Sequence, residues 1–278
     1  IPTAKVTLIN PSPTFYFTIA APRIFAKRDA FKSEQYLLPI EKEFSRYSKQ
    51  SFEFIQGYVS SINVSAKTVW VEKVGNISFD YLVIASGSTT VSTNRNATPI
   101  PFKQSNSHNM KNLIQDAQDS ISMAQNIVIG GAGPIGVELA GEVAEAARES
   151  GRRVNITLVS ASYRILPMLK PAGSTRAESF LSAMGVKVIK NQKVSSAVHN
   201  PNSRSWTVTL DEGQKLDADL YIPTTGVLPN NDFIPVDFLD DNGWVIVDKN
   251  LRVKGQREST PLPIYAAGDI TNNSMRLS

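Results

Sequence analysis

The order of apolar and polar positions along the chain predicts alternating strands and helices. Short apolar runs of the kind that form buried strands occur at 5–9, 81–85, 126–130, 154–159 and 220–223. From 52 to 72 apolar residues recur at every second position, which predicts an antiparallel meander leading into the run at 81–85. Ile40, Phe44 and Tyr47 are spaced as on one helix face, so the segment 22–47 is expected to be helical, either as two helices or as a helix with a loop. Short strands are also predicted at 244–247 and 251–253. The pattern favours an α/β fold.

The strongest local pattern lies between 126 and 159. An apolar strand at 126–130 is followed by a glycine-rich turn, an alanine-rich helix over 135–150 and a second strand at 154–159. Elements in this order form one βαβ unit with parallel strands. The turn between the strand and the helix is the place where such units bind phosphate groups.

Residues 131–136 fill this turn with the sequence Gly-Ala-Gly-Pro-Ile-Gly, a GxGxxG motif. In such a turn Gly131 makes the sharp bend, Gly133 lets the backbone approach a pyrophosphate, and Gly136 lets the helix pack closely on the strand. Pro134 and Ile135 open the helix, whose N–H groups and positive dipole end would face the phosphates. A purely structural glycine turn is the alternative. Because a strand precedes the motif and a helix follows it, dinucleotide binding is the prediction.

Two further positions bear on nucleotide chemistry. Ser160 follows the second strand, where sites that select NAD carry an acidic residue. Without that carboxylate, and with Arg164 nearby, we expect NADPH to be tolerated or preferred; a solvated loop charge is the alternative for Arg164. Asp269 follows Gly268 at the end of an apolar strand and is a candidate acceptor for a sugar or ribityl hydroxyl. An ordinary Gly-Asp turn is the alternative there.

Composition narrows the possible functions. The chain has 278 residues, enough for roughly two domains. It contains no cysteine, which excludes a disulfide framework, a thiolate metal site and a cysteine nucleophile. The two histidines, His108 and His199, are far apart, so no metal site is predicted. The net charge is +4 with dispersed basic residues, which makes nucleic acid an unfavoured partner. No apolar run is long enough for a membrane helix, although peripheral membrane contact stays open.

Four motifs in order resemble the two-dinucleotide-binding flavoprotein superfamily, the FAD/NAD(P)H pyridine nucleotide oxidoreductases. These motifs are Tyr-Leu-Val-Ile-Ala-Ser-Gly at 81–87, Gly-Ala-Gly-Pro-Ile-Gly-Val-Glu at 131–138, Thr-Gly-Val-Leu-Pro-Asn at 225–230 and Tyr-Ala-Ala-Gly-Asp at 265–269. The segment 15–23, Phe-Tyr-Phe-Thr-Ile-Ala-Ala-Pro-Arg, further resembles the AMID-like branch of the apoptosis-inducing-factor family, which includes the ferroptosis-suppressor quinone reductase. The resemblance covers essentially the whole chain.

The resemblance implies FAD and NAD(P)H as cofactors and assigns roles to matching positions. Arg23 is expected to contact the flavin nucleotide, and Val59 to bind its adenine end through the backbone. Asp269 is expected to hold the ribityl chain of FAD, and Glu138 to lie near the nicotinamide and flavin rings. A carboxylate that only stabilises the helix N-terminus is the alternative for Glu138. The remaining implied binding residues are the crossover motif Ala85, Ser86 and Gly87, and Gly226 in the third motif.

The domain organisation also follows from the resemblance. It implies a three-layer α/β protein with two Rossmann-like domains and small antiparallel β meanders. The FAD-binding domain is expected to be discontinuous, at 1–122 and 244–278, with the NAD(P)-binding domain at 123–243 between its parts. The family's first glycine loop would precede Lys5, and an interface domain would follow Asp269. We therefore expect the chain to be part of a longer protein that binds FAD better than this part does.

The predicted function is that of an FAD-dependent NAD(P)H oxidoreductase. Hydride would pass from NAD(P)H to the flavin, and electrons from there to a quinone-like acceptor or to oxygen. A flavin monooxygenase or ferredoxin-type reductase is one alternative. An apoptosis-inducing-factor-like binding protein regulated by nucleotide is the other. The absence of cysteine favours a cytoplasmic location, with membrane-associated and mitochondrial locations as alternatives.

Overall fold

The computed structural model describes residues 4–91, 100–104, 109–255 and 262–273. His108 and the residues at 92–99 lie outside these ranges. The helices are α1 (Ala21–Ala26), α2 (Ser33–Tyr36), α3 (Ile40–Glu43), α4 (Met110–Met123), α5 (Pro134–Glu149) and α6 (Pro171–Ala183). The strands are β1 (Val6–Asn10), β2 (Thr14–Tyr16), β3 (Leu37–Pro39), β4 (Phe52–Gln56), β5 (Val59–Asn63), β6 (Thr68–Val71), β7 (Gly75–Ser78), β8 (Leu82–Ile84), β9 (Ser88–Thr90), β10 (Asn126–Gly130), β11 (Asn155–Val159), β12 (Lys187–Ile189), β13 (Val194–Asn200), β14 (Ser205–Leu210), β15 (Lys215–Ala218), β16 (Leu220–Pro223), β17 (Val227–Pro229) and β18 (Ile264–Ala266).

A four-stranded parallel sheet in the order β12-β11-β10-β16 forms the centre of the second half of the chain. The predicted βαβ unit is confirmed, because β10 and β11 are parallel and α5 connects them. Gly130 at the end of β10 lies opposite Val159 of β11 and Pro223 of β16. The residues that follow these three strand ends therefore gather at one edge of the sheet.

Side chains on the two faces of this sheet pack into different layers. Ile127 and Ile129 of β10 join a core with the helices, in which Leu139 of α5 and Ile114 of α4 are fully buried. Val128 points the other way and packs in the core of the antiparallel sheet β13-β14-β15. The alternation follows from the two-residue period of a strand. Helices, parallel sheet and antiparallel sheet thus form three layers, and the predicted α/β class is confirmed.

The first half of the chain contains two parallel strand pairs and an antiparallel meander. The strand β1 pairs with β4, and β8 pairs with β18, which lies near the other end of the chain. The meander is confirmed for β5, β6 and β7, but its predicted first strand is wrong, because β4 runs parallel to β1. The pairing of β8 with β18 is the one that a discontinuous first domain requires. The domain limits themselves remain predictions.

Two predicted segments are less regular than expected. The helical pattern from Ile40 ends at Glu43, and the ring of Phe44, which follows it, stacks on that of Phe52 at 4.4 Å between centroids. The strands expected at 244–247 and 251–253 are only isolated bridges, such as the one between Val247 and Val253. Apolar side chains in both segments are buried by neighbouring elements without forming regular strands.

The helix α5 begins in contact with the turn that precedes it. Gly131 has φ +122°, a conformation that glycine adopts at little cost. A Cβ atom at Gly136 would lie 2.0 Å from the carbonyl oxygen of Gly131 and 2.7 Å from Oγ1 of Thr224. The close packing that the motif predicts for Gly136 is therefore present. None of the helices in the described ranges has both the length and the apolar character that a membrane crossing requires.

We predict opposite effects of alanine at two glycines of α5. Gly136→Ala forces the helix away from the carbonyl of Gly131, and overpacking of this kind costs about 1–3 kcal/mol. Gly141→Ala is the matched control, because its Cβ atom would meet Leu181 and Met184 at 3.8 Å, an ordinary contact. Replacing a glycine inside a helix then stabilises the protein by roughly 0.5–1 kcal/mol. Urea unfolding measures both, and equal effects of the two variants would contradict the packing described.

Candidate functional site

The glycine turn lies at the edge of the parallel sheet where β10, β11 and β16 end. Gly131 donates its N–H to the carbonyl of Val159 at 2.9 Å. The hydroxyl of Thr224 donates to the carbonyl of Gly131 at 2.9 Å, and the N–H of Thr224 donates to Gly130 at 2.8 Å. These bonds fix the turn between two strand ends and orient the N-terminus of α5 toward the same edge. In open α/β sheets this edge is where nucleotides bind.

The loop after β11 places Ser160 and Arg164 in different environments. The hydroxyl of Ser160 donates to the carbonyl of Arg164 at 3.1 Å, and its side chain is buried. A ribose contact by Ser160 remains a prediction that requires this turn to open. The guanidinium of Arg164 lies 5.4 Å from the ring centroid of Tyr163 and donates through Nη2 to Pro167. Its Nε and Nη1 atoms are buried and have no partner within the described residues.

Asp269 is held by residues from two other segments. Lys103 forms an ion pair with Oδ2 of Asp269, and Ser88 donates to the same oxygen at 3.3 Å. Lys103 also donates to the hydroxyl of Ser88 at 3.1 Å. The side chain of Asp269 is 35% exposed, so it is accessible from solvent. A Cβ atom built on the neighbouring Gly268 meets no atom of the described residues within 4 Å, which leaves room for a ligand.

The crossover motif and the third motif are bonded to each other. Ser86 donates to the carbonyl of Asn230 at 2.8 Å, and the side-chain amide of Asn230 donates back to the carbonyl of Ser86 at 2.8 Å. The adjacent strands β9 and β17 pair antiparallel, with Val227 opposite Thr90. The motifs at 85–87 and 226–230 therefore form one two-stranded connection between the first and second halves of the chain. Ala85 and Gly226 are exposed there.

Glu138 and Arg23 line one cavity, although they are far apart in sequence. The cavity has a volume of about 290 Å³ and lies between α1 and α5. Its lining residues are Ile19, Ala20, Pro22, Arg23, Phe31, Glu138 and Glu142. Burial, together with the nearby charge of Glu142, raises the pKa of Glu138. The guanidinium of Arg23 binds Glu142, with Nε at 2.9 Å and Nη2 at 2.8 Å from Oε1.

The predicted residues thus fall into four groups rather than one. The glycine turn, Ser160 and Arg164 belong to the edge of the parallel sheet, and Glu138 and Arg23 belong to the cavity. Gly268 and Asp269 belong to the Lys103 cluster, and the residues at 85–87 and 226 belong to the two-stranded connection. Val59 lies apart from them, where β5 pairs with Val71. A larger apolar cavity of about 440 Å³ beside β1 and β4 contains none of the predicted residues.

Sequence reasoning missed the polar residues that position these groups. Glu142, Lys103 and Thr224 each bond to a predicted residue or to the glycine turn. For Glu142 a signal existed, because it lies four residues after Glu138 and therefore on the same helix face. For Lys103 no signal existed, because it lies 166 residues before Asp269.

The chain is similar to known oxidoreductases. A family model described as pyridine nucleotide-disulphide oxidoreductase matches residues 3–278. Oxidoreductase ptaL of Pestalotiopsis fici is 39% identical over 274 residues, covering 97% of this chain and 69% of that protein. Ferroptosis suppressor protein 1 of Xenopus tropicalis is 29% identical over 241 residues, covering 82% of this chain and 60% of that protein.

A solved structure, the sulfide:quinone oxidoreductase from Aquifex aeolicus, has the same fold. Its TM-score is 0.76 at 21% identity, covering 98% of this chain and 63% of that chain. The chain spans between six and seven tenths of the length of these three proteins. Since the family model matches nearly every residue, the chain belongs to the pyridine nucleotide-disulphide oxidoreductase family, whose members bind FAD and NAD(P)H.

Proposed function

We propose that the protein is an FAD-dependent NAD(P)H oxidoreductase that passes electrons to a small, quinone-like acceptor. The observation that carries the proposal is the course of α5. The helix begins at the glycine turn, and one turn later it places Glu138 in the cavity with Arg23. At 1.5 Å per residue, Glu138 is about 6 Å along the axis from Pro134. A single rigid element thus connects a phosphate-binding turn with a cavity that contains a protonatable carboxyl group.

The residues of the chain fit both cofactors of the family. For NAD(P)H, the turn at Gly131 leaves no room for a side chain, and the 16-residue helix α5 directs its N–H groups toward the sheet edge. The unpartnered N–H groups of Arg164 suit an additional phosphate on the coenzyme. For FAD, the part-exposed carboxylate of Asp269 beside the open space at Gly268 suits a ribityl hydroxyl.

When bound, NAD(P)H supplies a hydride and FAD accepts it. The protein's part is to bind, orient and exclude water. The glycine turn would hold the coenzyme phosphates, and Ile19 and Phe31 give the cavity an apolar lining. Glu138 holds a proton on its carboxyl group to a higher pH than an ordinary glutamate, because burial disfavours its charged form. We assign to Ala85, Ser86, Gly87 and Gly226 the positioning of the two halves relative to each other.

The nature of the acceptor follows from the cavity and from the composition. Four lining residues, Ile19, Ala20, Pro22 and Phe31, present apolar atoms, while Arg23 offers hydrogen-bond donors. An apolar ring with carbonyl oxygens matches such a lining, and oxygen is small enough to enter as well. Since the chain has no cysteine, thiol–disulfide exchange within it is excluded despite the family's name. We favour a quinone.

One exposed apolar residue of the cavity bears on where the protein works. Ile19, which lines the cavity, is 79% exposed. An exposed apolar side chain at a site for an apolar acceptor supports peripheral contact with a membrane. We therefore propose a cytoplasmic protein that makes such contact. The limits 1–122, 123–243 and 244–278 remain our proposal for its domains.

The proposal predicts that the protein carries the colour of bound flavin and that NADH or NADPH removes this colour. After incubation with excess FAD and desalting, the protein is expected to show the flavin absorbance bands, and anaerobic NADH or NADPH is expected to remove them. Asp269→Ala, which deletes the proposed ribityl acceptor, is expected to retain less flavin. A full-length protein that remains colourless after incubation with FAD would refute the proposed function.

Arg164→Ala is predicted to change the preference between coenzymes. Loss of a charge-assisted contact with the extra phosphate is expected to weaken NADPH binding roughly 10-fold or more, with a smaller effect on NADH. Dissociation constants at one ionic strength measure the ratio. Arg176→Ala, on α6, is the control, because the guanidinium of Arg176 lies over the ring of Phe180 away from the loop. An unchanged ratio in Arg164→Ala would remove Arg164 from the coenzyme site.

Glu138→Gln is predicted to slow anaerobic bleaching of bound flavin by NADH roughly 10–100-fold, because a proton-holding group at a reacting centre contributes on this scale. Stopped-flow absorbance measures the rate. Glu149→Gln, at the other end of α5, is expected to leave it unchanged. If reduction rate and coenzyme affinity are both unaffected in Glu138→Gln, its assigned role is incorrect.

A further inference from the structure

Four glutamates form a stripe along α5. Glu138, Glu142, Glu145 and Glu149 are spaced four, three and four residues apart, so they lie on one face of the helix. The short helix α1 packs beside this face. It offers Arg23, and Lys27 follows at its end, four residues later. Arg23 and Lys27 are therefore about one helical turn apart and face the four glutamates of α5.

The two basic residues bind the carboxylates of Glu142, Glu145 and Glu149 but not that of Glu138. Arg23 binds Glu142, and Lys27 binds Glu145 and Glu149 through its Nζ atom at 2.8 and 2.9 Å. Glu138 has no ion-pair partner within the described residues. It is the end of the stripe that faces the cavity.

Glu142 is the most enclosed residue of the Arg23 pair. Its side chain is 17% exposed, compared with 52% for Arg23. Both guanidinium contacts fall on Oε1, while Oε2 is buried without a partner in the described part of the chain. The carboxylate thus remains close to Glu138, and its charge contributes to the raised pKa of that residue.

We infer that Glu142 is the positioning residue of the cavity. By binding the guanidinium of Arg23 at the lining of the cavity, it prevents this guanidinium from binding Glu138. Glu138 is thereby left without an ion-pair partner in the described part of the chain. The charged groups that face it are Arg23 from α1 and Glu142 from its own helix, and the remaining lining is apolar. A role for the Glu138 carboxyl group in the reaction rests on the proposed function, whereas the placement of Arg23 does not.

Glu142→Gln is predicted to lower the pKa of Glu138. The amide does not repel the Glu138 carboxylate, and it binds Arg23 less strongly, so the guanidinium becomes available to Glu138. Both changes favour the charged form of Glu138, and an opposite charge at such a distance lowers a carboxyl pKa by about one unit or more. Arg23→Met has the opposite sign, because Glu142 then keeps its full charge beside Glu138.

The measurement is an NMR titration of the protein labelled with ¹³C at the glutamate carboxyl carbons. The signal of Glu138 is the one missing from Glu138→Gln. The midpoint of the Glu138 titration is expected to fall by about one pH unit in Glu142→Gln and to rise in Arg23→Met. Glu145→Gln is the matched control, because Glu145 binds Lys27 rather than Arg23. In Glu145→Gln the midpoint of Glu138 is expected to stay within a few tenths of a unit of its value in the unmodified protein.

The outcomes separate this inference from the proposed function. An unchanged midpoint in both Glu142→Gln and Arg23→Met, in a protein whose flavin is reduced by NAD(P)H, would overturn the inference and leave the function standing. The predicted shifts in a protein that binds no flavin would do the reverse. Arg23 is mostly exposed, so Arg23→Met keeps the test decisive even if Glu142→Gln fails to fold.

Discussion

The contact between the start of α5 and the glycine turn is the constraint on which the other features depend. It exists because Gly136 has no side chain, so the helix can begin against the carbonyl of Gly131. That contact fixes where the helix starts and which way it rotates about its axis. Once both are fixed, residues at 138, 142, 145 and 149 must face α1, and the N–H groups of the first turn must face the sheet edge. The phosphate binding proposed for the turn and the carboxylate stripe therefore depend on the same packing contact.

The site around Asp269 depends on a different kind of constraint. Its three polar residues, Ser88, Lys103 and Asp269, come from three segments, and no single helix or turn determines their distances. They meet because β8 pairs with β18 and because β9 follows β8 closely. Lys103 binds both Asp269, the proposed ribityl acceptor, and Ser88. A ligand hydroxyl can therefore replace Lys103 as the partner of the Asp269 carboxylate, while the ammonium group of Lys103 keeps its bond to Ser88.

Local patterns predicted the part of the fold that local forces determine. The unit from β10 to β11 was predictable to within a residue or two, because apolar runs, a glycine turn and an alanine-rich helix agree there. The end of the helix that begins at Ile40 was not predictable, because Phe44 continues the helical spacing and yet stacks on Phe52, outside the helix. The candidate site was likewise predictable only where its residues are close in sequence. The glycine turn consists of six consecutive residues, whereas the bond between Arg23 and Glu142 joins positions 119 apart in sequence.

The net charge of +4 conceals this local arrangement of charges. Along α5 four glutamates face α1, where Arg23 and Lys27 bind three of them; two of the glutamates, Glu138 and Glu142, line the cavity together with Arg23. Burial and a neighbouring carboxylate both disfavour the charged form of a carboxyl group, whereas a bound cation favours it. The ion pairs occupy the three glutamates farther from the glycine turn, and Glu138 is the member of the stripe whose pKa is raised, by burial and by the charge of Glu142. The arrangement of pairs farther along the helix thus raises the pKa of a carboxyl group at the place where the coenzyme is proposed to react.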